Sequence, residues 1–127
     1  MSKCGCGSTK TIIMACSGAS NVGQIANDAA KALDQLGQGS MFCGIGVGAQ
    51  LSSFVNGAKE ADVRVSIDGC KVACIRRTLE KAGITPELAI VVTDLGIEKK
   101  HDFDYPREQV AQVAGAVADA LQSNCRL

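Results

Sequence analysis

Cys16, Cys43, Cys70 and Cys74 are the residues of this chain whose type and placement could do chemistry, the last two inside Asp68-Gly69-Cys70-Lys71-Val72-Ala73-Cys74. Thiolates bind borderline and soft metals, and four of them meeting at one point complete a tetrahedral zinc site. The same sulfur-only set also suits an iron–sulfur cluster. A third chemistry needs only one activated thiol: Cys70 in thiol–disulfide exchange or sulfur transfer, with Cys74 or Cys16 resolving it. Each of these requires the fold to bring separated cysteines together.

The elements that must do so alternate along the chain. Residues 1–9, polar and rich in Gly and Ser, read as a flexible tail carrying Cys4 and Cys6, and residues 10–127 as a single α/β metal-binding domain. Thr11 to Cys16 is a continuous apolar run, the pattern of a strand covered on both faces. Ser20 or Asn21 can cap a helix with apolar positions Val22, Ile25, Ala26, Ala29, Leu33 and Leu36, stopped by Gly37. Ser40 to Cys43 is a weaker strand, cut off by Gly44, Gly46 and Gly48, with a short helix from about Ala49 to Glu60. Val63 to Asp68 alternates and is rich in β-branched residues, and a helix is expected from about Gly69 to Lys81, ended by Gly83. Glu87 to Thr93 has the pattern of a buried strand, and a last helix opens near Pro106 with Val110, Val113, Ala114, Val117 and Leu121 on one face.

That order predicts a small α/β domain: a parallel sheet of about four strands with helices on both faces, a flavodoxin- or Rossmann-like three-layer sandwich. The carboxyl ends of all strands in such a sheet share one edge, where ligands bind. Cys16 and Cys43 end the first two strands and Cys70 lies just past the third. If the third helix starts at Gly69, Cys74 follows Cys70 by about one turn on the same face. At about 100° per residue, Val72, Ile75, Leu79 and Ala82 fall on the far side and Arg77 beside the thiols, where it would offset their charge.

Composition narrows the partners. Lys plus Arg and Asp plus Glu number 13 each, for zero net charge, and aromatics are 3% with no Trp, so neither a nucleic-acid nor a membrane-surface footprint is present. No apolar run approaches the roughly 18 residues of a membrane span, and the first residues lack a hydrophobic signal core, so a cytoplasmic location is expected. In a reducing compartment, seven cysteines point to ligands or redox thiols in place of structural disulfides.

Other constellations are weaker. Gly44-x-Gly46-x-Gly48 is an incomplete dinucleotide fingerprint and does not follow the first strand; its glycines better serve close backbone approach, with N–H groups available to thiolates. Cys70 to Arg76 satisfies the Cys-x5-Arg spacing of cysteine-dependent phosphatases, but Lys71 to Ile75 reads as continuous helix, which cannot curl around an oxyanion. Asp68 reads as a turn residue or a neighbour of the ligands, His101 as a solvated loop residue, and Cys125 as a surface thiol.

Asp68-Gly69-Cys70 with Cys74 behind it resembles the signature of the DGC-domain family, small prokaryotic proteins described as zinc-binding. Ala15-Cys16-Ser17-Gly18-Ala19, Asn21-Val22-Gly23, Phe42-Cys43-Gly44-Ile45-Gly46 and Asp94-Leu95-Gly96-Ile97-Glu98-Lys99 are similar to other stretches of that family, so the likeness covers nearly the whole chain. Lys71 departs from the Pro expected there. The resemblance implies that Cys16, Cys43, Cys70 and Cys74 are zinc ligands. With no open coordination position the zinc would be structural, making the protein a metal-handling, sensing or interaction module with a metal ion, and a protein partner, to bind.

Overall fold

A computed structural model of the chain describes residues 9–125. Four parallel strands, β1 (Thr11–Ala15), β2 (Ser40–Met41), β3 (Val63–Asp68) and β4 (Leu88–Val91), form one sheet in the order β2-β1-β3-β4. Five α-helices connect or follow them: α1 (Asn21–Gln35), α2 (Gly44–Gly48), α3 (Ser52–Glu60), α4 (Cys74–Lys81) and α5 (Arg107–Cys125). The expected three-layer α/β architecture is present.

Side-chain alternation explains which layer each strand serves. Ile13 of β1 joins Val63, Val65 and Ile67 of β3 in a core built with α1 and α5. Ile12 and Met14 point the other way, packing with Val47, Ala58 and Leu79 from α2, α3 and α4. The continuous apolar run of β1 is therefore what a strand buried on both faces requires. In β3 the second face carries Arg64, Ser66 and Asp68; the buried Ser66 hydroxyl has no hydrogen-bond partner, whereas the two charged side chains tie the strand to its neighbours. Arg64 donates to the carbonyls of Ala58, Lys59 and Ala61 at the end of α3 and makes a two-pronged bond with Glu87, while Asp68 reaches the start of α4.

Because β2 lies on one side of β1 and β3 on the other, the crossover direction reverses between β1 and β3. In open α/β sheets that reversal opens a crevice at the carboxyl edge. The loops after β1 and β3 meet there.

Several expectations need correction. β4 is an edge strand with only partial burial, because among the described residues it pairs with β3 alone. Leu36 follows the last turn of α1 and is 71% exposed. Gly44, Gly46 and Gly48 do not interrupt structure; they form α2, and α3 begins only at Ser52. Finally, α4 starts at Cys74, five residues later than expected, and Val72 is 54% exposed instead of joining the core.

Candidate functional site

Cys16 directly follows β1, and its N–H donates to Ile67 O at 2.8 Å, extending the pairing of β1 with β3. The next loop is fixed by backbone contact. A Cβ at Gly23 would lie 2.8 Å from Gly18 N and O, and one at Gly69 would lie 2.8 Å from Gly23 N. No side chain fits in either place, so the loop after β1, the first turn of α1 and the end of β3 touch main chain to main chain. Ser20 caps α1 by accepting from Gly23 N at 3.1 Å.

Cys70 lies in a turn, not on a helix. Ala73 N donates to Cys70 O, and Ala73 takes the left-handed conformation with φ 56°. The physical cause is Asp68, 2% exposed, whose two carboxylate oxygens accept from Ile75 N at 2.8 Å and Arg76 N at 3.2 Å. The helix begins where its orphaned N–H groups find this acceptor. Burial pushes the Asp68 carboxyl pKa up, and the bonds from Ile75 and Arg76, with the Arg76 charge, counter only part of that shift.

The i, i+4 placement of Cys70 and Cys74 on one helix therefore does not occur, and Cys74 is instead the first residue of α4, exposed to solvent. Cys43 is the N-cap of α2 and is also exposed; its Sγ accepts from Gly46 N at 3.3 Å. Cys16 and Cys70 are half-buried against the α1–α5 core, and Cys16 Sγ accepts from Gly18 N at 3.3 Å. Glycine N–H groups thus serve two thiols, as expected for the segment after Cys43 and additionally at Cys16. In place of Arg77, the cation at Cys70 is Lys99, with Nζ 3.6 Å from Sγ.

The residues on either side of Lys99 are held by Asn21, which the sequence marks as a cap and as part of the family-like Asn21-Val22-Gly23 stretch. Asn21 Nδ2 donates to Glu98 O at 2.9 Å, its Oδ1 accepts from Lys100 N at 2.6 Å, and its N–H donates to Lys100 O at 3.0 Å. Local spacing carried no signal for this contact, since the partners are 77 and 79 residues apart.

The four cysteines share the carboxyl edge, but each of three sulfurs turns to a local donor. Among the described residues no group of three or more His, Cys, Asp or Glu side chains converges closely enough to hold a metal ion. The donor chemistry of four thiols suits zinc, with Cys43 and Cys74 exposed and Cys16 and Cys70 half-buried. The glycine motif after β2 is the short helix α2 itself, with Ile75 Cδ1 2.6 Å from where a Cβ of Gly44 would stand, and not an open glycine loop. The Cys70-to-Arg76 segment does curl, contrary to expectation, yet the N–H groups of Ile75 and Arg76 that would face an oxyanion already serve Asp68. His101 is exposed in its loop, Cys125 falls at the end of α5, and Cys4 and Cys6 lie outside the described residues.

Residues 12–117 match the family whose signature is the DGC domain. The chain belongs to the DGC-domain family. This DGC-domain protein is also 33% identical over 93 residues to the anaerobic and virulence modulator AnvM of Pseudomonas aeruginosa, a match covering 73% of this chain and 71% of the relative. No solved structure matches it. No helix among its described residues is long and apolar enough to cross a membrane.

Proposed function

We propose that this DGC-domain protein is a small cytoplasmic regulatory protein that binds one zinc ion through Cys16, Cys43, Cys70 and Cys74. The observation that carries the reading is placement: the four thiols come from the three connections that follow β1, β2 and β3, all leaving the carboxyl edge of the sheet. Gly18 and Gly46 supply N–H groups to two of the sulfurs, a kind of support that metal-bound thiolates receive. Four thiolates leave no position for water, so the zinc orders loops and does not activate a nucleophile. The name of AnvM, a modulator, agrees with a sensing or interaction role in which zinc occupancy sets the shape of the edge.

A second reading, thiol–disulfide or sulfur-transfer chemistry at Cys70, draws on the ammonium of Lys99 beside that thiol. An iron–sulfur cluster on the same thiolates is separated by colour, since it absorbs in the visible and zinc does not. Metal analysis of anaerobically purified protein and of Cys70→Ala decides among them. One zinc per chain in the wild type and a large loss in the variant support the zinc site. Full zinc in Cys70→Ala excludes the four-ligand set, and a metal-free wild type that alkylates rapidly at Cys70 favours the thiol chemistry.

A further inference from the structure

We infer that Lys99 is the cation of the thiolate site, hydrogen-bonded to the sulfur of Cys70, and that Asn21 is the residue that positions it. The inference rests on the zinc reading and assigns two residues outside the ligand set to it.

A divalent ion held by four thiolates keeps a net negative charge, and a nearby ammonium with an N–H to give to sulfur offsets it. A surface lysine is a poor instrument for this, because its flexible four-carbon stem samples many rotamers. Its reach becomes selective when the backbone on both sides is fixed. Here it is fixed: Glu98 and Lys100 bracket Lys99, and Asn21 bonds to both through its side chain and its own N–H. Asn21 is only 4% exposed, so these bonds are sheltered from competing water.

The clamp also stands in the right frame. Asn21 is the first residue of α1, the turn whose Gly23 touches Gly18 and Gly69 through main-chain atoms. The loop after Cys16, the residue before Cys70 and the segment carrying Lys99 are therefore tied to a single helical turn. Lys99 Nζ, 3.6 Å from Cys70 Sγ, is in place before any metal ligation rearranges the exposed pair.

Zinc affinity, measured by competition with a chromogenic chelator, tests the assignment on the full chain. Lys99→Met is expected to bind zinc roughly tenfold more weakly, and Lys99→Arg to recover most of that loss. Lys100→Met, which removes an adjacent charge, is expected to stay within about twofold of wild type. Asn21→Ala should lose affinity in the same direction, and the double variant Asn21→Ala/Lys99→Met should be no weaker than Lys99→Met alone, because Asn21 acts through Lys99. Should Asn21→Ala fold poorly, Asn21→Asp, which keeps the acceptor for Lys100 N and loses the donor to Glu98 O, takes its place in the same comparison. Wild-type affinity in Lys99→Met, or equal losses in Lys99→Met and Lys100→Met, overturns the inference and leaves the zinc site standing. A fully additive double variant overturns the role of Asn21. A wild type that takes up no zinc overturns both the inference and the zinc reading.

Discussion

On the α1–α5 side of the sheet, Cys16 and Cys70 sit half-buried against the core, while on the α2–α4 side Cys43 and Cys74 are exposed at the starts of two short helices. The first pair is framed by main-chain contacts among Gly18, Gly23 and Gly69 and by the Asn21 clamp. The second pair is framed by side chains: Ile75 lies over Gly44, Thr78 near Gly48, and the Phe54 ring over Gly46. Main-chain atoms cannot step aside without moving a strand or a helix, whereas a methyl group at the end of a side chain can rotate. On the zinc reading proposed above, the difference amounts to a division of labour, with a fixed half that presents two thiols and an adjustable half that would close on the ion.

The largest expected effect sharpens that contrast. Gly23→Ala or Gly69→Ala places a methyl 2.8 Å from backbone atoms and should cost about 2–3 kcal/mol, read from the denaturant midpoint. Gly44→Ala meets only the far end of Ile75 and should cost less. At Gly48 the added methyl finds Thr78 Cγ2 at an ordinary 3.4 Å, and the gain in helix propensity makes Gly48→Ala neutral or slightly stabilising. Equal costs at Gly69 and Gly48 would remove the distinction between the halves.

Asp68→Ala comes next. It leaves Ile75 N and Arg76 N without their acceptor and should cost about 1–2 kcal/mol, with Asp68→Asn between it and wild type. A stability unchanged by Asp68→Ala would mean that α4 takes its start from something other than this cap.

The smallest effects are on pH dependence, one on each side of the sheet. Burial acts against the Glu87 carboxylate, but the bonds and charge of Arg64 outweigh it and hold its pKa below 4.5. A depressed acid contributes stability above its unfolded value, and that contribution fades as pH falls through the folded pKa. Glu87→Gln should therefore flatten the acid limb of the stability profile below the ordinary glutamate pKa. On the other side, the hydrogen bond from Tyr105 to Asp28, then burial and the Asp28 charge, push the tyrosine pKa up to about 12. Tyr105 is the chain's only tyrosine and there is no Trp, so alkaline absorbance reports it alone. Asp28→Asn should bring the midpoint back toward 10.

Hydrophobic pattern was enough to read the sheet, because β1 is apolar on both faces and β3 alternates between a core face and a polar one. It also put Cys16, Cys43 and Cys70 after strand ends that share one edge of a parallel sheet, whereas the helical spacing used to add Cys74 does not occur. What it could not give was the turn from Cys70 to Ala73. Lys71, Val72 and Ala73 are all compatible with helix, and only the carboxylate of Asp68, seven residues before Ile75, delays the start. The pair formed by Asn21 and the Lys99 segment was out of reach for the same kind of reason: it joins residues almost 80 apart through main-chain groups that carry no sequence mark. The glycines after Cys43 misled in the opposite direction. They look like a loop, but they form α2, and Gly46 is needed inside it because the Phe54 ring occupies the space a side chain would take.

Alkylation of each cysteine, followed by mass spectrometry with and without one equivalent of zinc, tests most directly whether the four thiols act as one site. Without zinc, Cys43 and Cys74 should be modified well before Cys16 and Cys70, as their exposure dictates. With zinc, all four should be protected together. Protection of only one pair, or none, would contradict a single four-cysteine centre.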